Sequence, residues 1–299
     1  MSRRWVEELE MRAMLSVVSH EPIDSVLNVL CDEENDQLVI SMRDAATLVI
    51  TDKGESHEFA VSDLQDPPAK DGVVPTPVWS IYVFGSSGND RLTVQDPDGT
   101  LPFYIMLCGG MGNDTLIGGP KSDILYGDGD DALVYKGDTS NVPAMDSGAD
   151  VIYGGDGMDF IFGMYGTDYI TGEGGDDWIY GDYFDTTVLG AGDTILSGDG
   201  NDSVYGGEGN DLILGEAGDD LIYGDLETSS LGGSDIVFGG DGNDTIYGNE
   251  GSDILYGANG DDSMTGGAGL DLLLGGAGRD TLLAGNGSGT GATWDIVLG

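Results

Sequence analysis

An aspartate returns every nine residues along the last two thirds of the chain. From Asp150 the column runs Asp159, Asp168, Asp177; after a gap, Asp193, Asp202, Asp211, Asp220; after another, Asp235, Asp244, Asp253, Asp262, Asp271, Asp280, and then Asp295. Upstream it includes Asp90, Asp114, Asp123 and Asp131. A fixed short period means a repeat architecture, in which each unit buries its apolar face only against its neighbours.

The unit is clearest in GGDGNDTIY (Gly239–Tyr247), GGEGNDLIL (Gly206–Leu214), GGMGNDTLI (Gly109–Ile117) and GGAGRDTLL (Gly275–Leu283). Six residues of turn chemistry precede three of strand, because glycine admits positive φ and close backbone approach. Two positions after every column aspartate stands an apolar residue, from Leu92 and Leu116 through Ile152, Ile213 and Ile246 to Leu282 and Val297. Side chains alternate across a strand, so this residue faces inward and its two neighbours face out. One turn and one strand make half a coil, and two units close one coil with a sheet on each side. The fold class expected is all-β: a parallel β-roll, a two-sheet solenoid with a small N-terminal β cap. At one strand spacing per coil, the half-coils from Asp114 onward stack to about 40 Å.

Charge fixes the ligand chemistry. The chain has 55 Asp and Glu against 10 Lys and Arg, a formal net charge of −45. Self-repulsion on this scale opposes compaction. Column aspartates one strand spacing apart repel by roughly 3.5 kcal/mol per pair at an effective dielectric near 20. Summed over an edge, that exceeds the usual stability of a domain, about 5–15 kcal/mol. A divalent cation reverses the problem. Calcium suits the site, since it takes 6–8 oxygens and tolerates irregular geometry, and carbonyls of glycine-rich turns complete the shell. Magnesium fits less well because it holds its water. Zinc and iron are disfavoured with only His20 and His57 in the chain. All nineteen column aspartates are therefore candidate calcium ligands; the plainer reading is a row of solvated turn residues. Nucleic acid is excluded as a partner by the sign of the field.

The pattern G-G-x-G-x-D-x-U-x resembles the RTX calcium-binding nonapeptide repeats of the hemolysin-type family, over about residues 89–299. That nonapeptide is itself a known signature of calcium-binding parallel β-helix repeats. The resemblance implies several calcium ions held between stacked turns by Asp carboxylates and turn carbonyls, and a fold that forms only with calcium. It implies an extracellular, secreted or cell-surface setting. Residues 2–16 (SRRWVEELEMRAMLS) are similar to the LEPR-XLL-type N-terminal segment of planctomycete surface proteins. The matching residues are Leu9, Glu10, Arg12, Met14, Leu15 and Ser16, with Met11 where proline is usual. That similarity implies export and surface attachment for residues 1–16; the same residues also fit an ordinary amphipathic helical start. No ordinary signal peptide is visible, because Arg3 and Arg4 lead into an acidic stretch. No apolar run approaches the ~20 residues that span a bilayer.

Residues 17–88 are expected to form the cap over the first coil. Strands are expected at Leu38–Met42, Thr47–Thr51, His57–Val61 and Val78–Phe84, with a proline-rich connector between Pro67 and Pro77. Asn35-Asp36-Gln37-Leu38 resembles a decayed repeat. Cys31 and Cys108 are compatible with a pair, with free thiols or with simple packing. Val297-Leu298-Gly299 ends just after a strand without an evident cap, which implies a fragment or an edge covered by another chain.

The gaps in the column add direction. The spacing widens to 19 before Asp150, 16 before Asp193, 15 before Asp235 and 15 before Asp295. Even numbers of half-coils separate these jumps, so all four insertions should leave from one edge. The uninterrupted edge is expected to carry Asp114, Asp131, Asp159, Asp177, Asp202, Asp220, Asp244, Asp262 and Asp280, each two residues after a glycine. Lys121, Ala191 and Thr293 hold that position on the other edge. A regular calcium ladder is expected on the uninterrupted edge and weaker sites opposite. Three insertions start alike, at Tyr135-Lys136-Gly137-Asp138, Tyr180-Gly181-Asp182 and Tyr223-Gly224-Asp225. They read as surface loops, with Asp138, Asp182 and Asp225 as the alternative extra ligands.

Phe162, Tyr180, Tyr205, Tyr223 and Tyr247 should form an outward stripe on one sheet. The favoured reading is a stabilising ladder; the alternative is a sugar-binding platform or a surface for a partner, a cell-surface polysaccharide or another surface protein. No catalytic constellation is recognisable, so the chain is not expected to be an enzyme. His57-Glu58 lacks a second histidine because Val61 holds that place, and no nucleophile elbow or phosphate loop appears. The pairs Asp176-Asp177 and Asp219-Asp220 could serve a sugar-cleaving site, but metal ligation explains them more simply.

Overall fold

The computed structural model describes residues 17–21, 26–31, 35–44, 47–60, 80–97, 99, 101, 103–128, 148–182, 191–226, 232–285 and 296–298. The expectations for residues 1–16, for the proline-rich connector and for Asp131, Asp138 and Asp295 lie outside these. Among the described residues every regular element is a strand, and none is a helix long and apolar enough to cross a membrane.

The strands form two sheets, of twelve and thirteen strands. From Arg91 onward, successive strands alternate between the sheets. Arg91–Gln95 lies in the thirteen-stranded sheet, Tyr104–Gly110 in the other, Thr115–Ile117 in the first again, and so on to Ile296–Leu298. All pairings in this region are parallel and in register at the inward residue: Ile161 with Ile179, Ile179 with Val204, Ile195 with Ile213. This is the β-roll. Each coil contributes one inward residue per sheet, so the core is a double file one residue wide. Its members from Leu92 to Leu273 are fully buried. Leu282 is only partly buried, and Val297 is 41% exposed because no described strand lies beyond it.

The same two sheets run on into the N-terminal region. Val26–Leu30 pairs in parallel with Ser80–Phe84, and Gln37–Asp44 with Arg91–Gln95. Thr47–Asp52 and Glu55–Ala60 then add antiparallel strands, as does Val17–Glu21 on the other sheet. This end has a thicker core, with Leu38, Ile40, Leu48, Ile50, Ile81, Val83, Leu101 and Leu107 in one cluster. Cys31 and Cys108 are both buried. Cys108 packs with Phe84 and Met106, and burial with nearby Asp36 pushes the Cys31 thiol well above its usual range.

All four insertions (residues 129–147, 183–190, 227–231 and 286–295) connect a strand of the twelve-stranded sheet to one of the thirteen-stranded sheet. These four therefore share one edge, as the spacing predicts. The opposite edge is not uninterrupted throughout and is regular only from Asp123 onward: the coil from Asp90 to Asp114 spans 24 residues, and its extra residues fall between Arg91–Gln95 and Tyr104–Gly110 on that edge. The assignment of two aspartates to edges is corrected. Asp114 stacks with Asp150 on the inserted edge, and Asp123 with Asp159 on the uninterrupted one. Strand Ile124–Asp128 pairs directly with Phe160–Met164, so no half-coil intervenes at Asp131. The reason is length: Asp123 to Asp159 spans 36 residues, two full coil lengths, so an insertion that happens to fill a coil mimics repeats in phase.

Candidate metal centre

The described column aspartates from Asp90 to Asp271 are buried, although their turns lie on the edges of the roll. Asp159, Asp177, Asp202, Asp220 and Asp244 are at most 2% exposed, and so are Asp193, Asp211, Asp235 and Asp253 on the other edge. Solvated turn residues would not look like this. The burial follows from a hydrogen bond that the spacing does not reveal. One carboxylate oxygen, Oδ1, accepts the main-chain N–H of the aspartate one coil earlier. Asp159 N–H donates to Asp177 Oδ1 at 2.8 Å, Asp177 to Asp202 at 2.8 Å, Asp202 to Asp220 at 2.9 Å, and Asp244 to Asp262 at 2.9 Å. The inserted edge has the same ladder, from Asp36 and Asp90 through Asp150 to Asp168 (2.8 Å), Asp193, Asp211, Asp235, Asp253 and Asp271. It runs unbroken past the insertions. Asp36 is thus the first rung, which places the decayed repeat at Asn35–Leu38 in the column.

The second oxygen, Oδ2, has no donor at Asp159, Asp168, Asp177, Asp193, Asp202, Asp211, Asp220, Asp235, Asp244, Asp253 and Asp262. It points at the turn of its own unit and at the carbonyl stacked above. At Gly154 a methyl group would lie 2.7 Å from Asp159 Oδ2 and 2.7 Å from the carbonyl oxygen of Gly172. Glycine is required there because carboxylate and carbonyl converge on its Cα. The repeated donor set is thus one bare carboxylate oxygen beside main-chain carbonyls.

Burial dominates the electrostatics. It pushes the Asp177 carboxyl up to about 7 and Asp159 up to about 8, against the pull of the N–H bond that each accepts and with a further push from neighbouring aspartates. On the inserted edge burial, then the charge of Asp168, takes Asp193 to about 10; burial, then Asp235, takes Asp211 to about 9. Near neutral pH such a group needs a proton or a cation. Basic side chains supply little of it along the roll, where Lys121 pulls on Asp123. Among the described residues the ion pairs are those of Arg43 and of Lys53, whose ammonium lies 2.8 Å from Asp36 Oδ1 and closes the inserted-edge column at its N-terminal end.

The donors fit a hard oxygen-seeking cation. Among the described residues no three His, Cys, Asp or Glu side chains converge on one metal-sized point, so carbonyls must complete each shell. The column residues the ladders bring together are those from Asp90 to Asp280, except Asp131. Asp280 is half-exposed at the last described rung of its edge.

Two features escaped the sequence reading. A second ladder runs outside the first. Asn201 N–H donates to Asp176 Oδ1 (2.8 Å), Asp219 to Asn201 (2.9 Å), Asn243 to Asp219 (2.7 Å) and Asp261 to Asn243 (2.9 Å). The Asn or Asp before many column aspartates was the available signal. It gives Asp176 and Asp219 a backbone-pairing role. Second, the insertion after Asp128 starts at Tyr126-Gly127-Asp128. Tyr126 lies in the aromatic stripe, stacked on Phe162 with centroids 4.9 Å apart. The predicted stripe is there: Phe162, Tyr180, Tyr205, Tyr223 and Tyr247 stack at 4.6–5.2 Å with planes within 13°.

Comparison with curated proteins returns no match. A family model for the RTX calcium-binding nonapeptide repeat matches residues 109–136, 146–164, 153–182, 189–227, 229–264 and 256–290. These segments cover more than half of the chain and contain the ladders of both edges from Asp114 to Asp280, so the chain belongs to the RTX calcium-binding nonapeptide repeat family.

Proposed function

We propose that this chain is a secreted or surface-exposed structural and adhesive module whose roll folds when calcium fills its edges. The observation that carries the reading is the row of buried Oδ2 atoms without donors, beside carbonyls and without basic partners. A thin core offsets little of that cost: fully burying one aliphatic side chain contributes about 1.5–3 kcal/mol, and each half-coil buries one. Millimolar extracellular calcium then suits export of an unfolded chain and folding outside. Residues 1–16 serve export or attachment in this reading, residues 17–88 cap the roll, and residues 89–299 bind the ions, one column aspartate per turn.

Adhesion is read as contact with another surface protein. The outward face of the thirteen-stranded sheet presents Leu212, Leu214, Ile236, Phe238, Ile254 and Tyr256 on consecutive coils, with Ile236, Phe238 and Ile254 at 38–40% exposure. Contiguous apolar surface of this kind fits a protein partner. The alternative, a carbohydrate-acting solenoid, needs aromatic faces open to sugar rings. In the tyrosine ladder each ring covers its neighbour's face, which favours the structural role. We read the chain as non-catalytic.

Far-UV circular dichroism during a calcium titration tests the proposal. A β signal that grows toward millimolar calcium and reverses with chelator is expected; a full β signal in chelator, unchanged by calcium, would overturn it.

A further inference from the structure

Three of the four insertions leave the roll just after an acidic residue. Asp128 and Asp182 end their strands, and Asp225 follows Leu221–Tyr223 by two residues. Coils of the same sheet that continue without an insertion carry Met164, Gly207, Asn249 and Gly267 at the matching place. A carboxylate at this point thus accompanies an interruption of the edge.

Asp225 is the most informative of the three. It is fully buried. Its Oδ1 accepts the N–H of Gly233 at 2.9 Å, which draws the two ends of the insertion together. Its Oδ2 is buried and makes no hydrogen bond of ordinary geometry, although the main-chain N–H of Glu250 is near enough to pull on the carboxylate. That oxygen packs against Gly232, while the donorless Oδ2 of Asp235 packs against Gly224, the residue before Asp225. The carbonyl oxygen of Gly248 lies beside the same glycine, 2.9 Å from where a methyl would stand. Two bare carboxylate oxygens and a carbonyl therefore lie against the glycines at the two ends of the insertion, and no described ion pair reaches them. Asp182 has the same kind of main-chain donors but is fully satisfied: its Oδ2 accepts the N–H of Glu208 at 2.9 Å, and neither of its oxygens is left without a donor.

We propose that Asp225 is a calcium ligand outside the nine-residue column, and that with Asp235 it forms a doubly anionic site at the neck of the 227–231 insertion. The ion fastens the insertion to the roll. Affinity of calcium sites rises with the number of charged ligands, so this neck binds more tightly than an ordinary turn. That reverses the expectation that the inserted edge is the weaker one. The inference rests on the calcium reading of the column.

The test is calorimetric calcium titration of the full chain, wild type against Asp225→Asn and Asp182→Asn. Asparagine keeps the acceptor for Gly233 and removes the charge. Asp225→Asn is expected to lose one ion or to weaken one tight site by about tenfold or more, while Asp182→Asn keeps the wild-type count. An unchanged count and affinity in a folded Asp225→Asn variant overturns the proposal. If the wild-type chain binds no calcium, the calcium reading itself fails, a separate outcome. Should Asp225→Asn not fold, crystals of the wild-type chain grown in calcium decide. An ion at ligand distance from Asp225 Oδ2 supports the assignment, and filled column sites with none at Asp225 overturn it.

Discussion

The carboxylate of Asp177 holds the main-chain N–H of Asp159 at 2.8 Å, and its other oxygen is buried with no donor. One side chain thus does two jobs. It continues the backbone pairing from coil to coil around the turn, and it leaves a negative oxygen facing carbonyls. The first job needs only an acceptor; the second needs a proton or a cation.

Asp177→Asn separates the two. The amide oxygen keeps the bond to Asp159, and the amide N–H₂ stands where Oδ2 meets the carbonyl of Ser197. In chelator the variant is expected to be more stable than wild type by about 1–3 kcal/mol, because a buried unpaired charge is gone. In millimolar calcium the order reverses. Thermal denaturation in both conditions reads the crossing; the same order in both would contradict it.

Acid should replace calcium in part. The folded carboxyls titrate above their ordinary value of 3.8, at about 8 for Asp159 and about 10 for Asp193. The metal-free roll therefore takes up protons on folding. Its stability is fully present below pH 3.8 and is lost as pH rises through about 8 and about 10. Calcium displaces those protons, so its affinity rises with pH across the same window. Titration calorimetry in buffers of different ionisation enthalpy should register proton release on binding.

Ala258 occupies a left-handed turn position with φ 77°, where neighbouring turns use glycine, such as Gly267 at φ 110°. Left-handed backbone costs a residue with a Cβ about 1–2 kcal/mol. Glycine's greater freedom in the unfolded chain takes back about 0.5–1 kcal/mol. Ala258→Gly is expected to raise stability by about 0.5–1 kcal/mol in calcium, a shift that thermal denaturation resolves.

The aromatic ladder should matter for stability and not for sugar. Tyr205 stacks between Tyr180 and Tyr223 at 4.6 and 5.0 Å. Tyr205→Ala removes two stacked contacts and half-buried ring area, about 2–4 kcal/mol in all. Glycan-array binding by the folded variant and the wild type should be equally absent; loss of a glycan signal with Tyr205 would favour the carbohydrate reading.

Lys53 neutralises the fully buried Asp36 at the first rung. Lys53→Met removes the cation that neutralises that charge and is expected to cost about 3–5 kcal/mol with or without calcium. Arg43→Met breaks an exposed pair with Glu58 and should cost under about 1 kcal/mol. Denaturant midpoints of the two variants give the comparison.

The roll, its inward file and its two edges were legible because a nine-residue period fixes which side chain faces in. Ile161, Ile213 and Ile246 are buried for that reason alone. The position of Asp114 was not legible. Counting repeats assumes that every aspartate in phase begins a half-coil, and Asp131 is in near phase while the strand before it pairs straight to Phe160–Met164. Sequence spacing has no term for pairing partners, whereas register does.

Taken alone, then, the sequence determined the architecture, the calcium-binding repeat family and the shared edge of the four insertions. These follow from a period, a charge imbalance and the parity of gaps, all local properties. The stacking of coils decided the rest: which aspartates share an edge, that Oδ1 is spent on the backbone one coil away, and that Asp225 holds the N–H of Gly233 across the neck of an insertion. Those relations join residues 8 to 54 positions apart, and only packing in three dimensions brings such partners within hydrogen-bond distance.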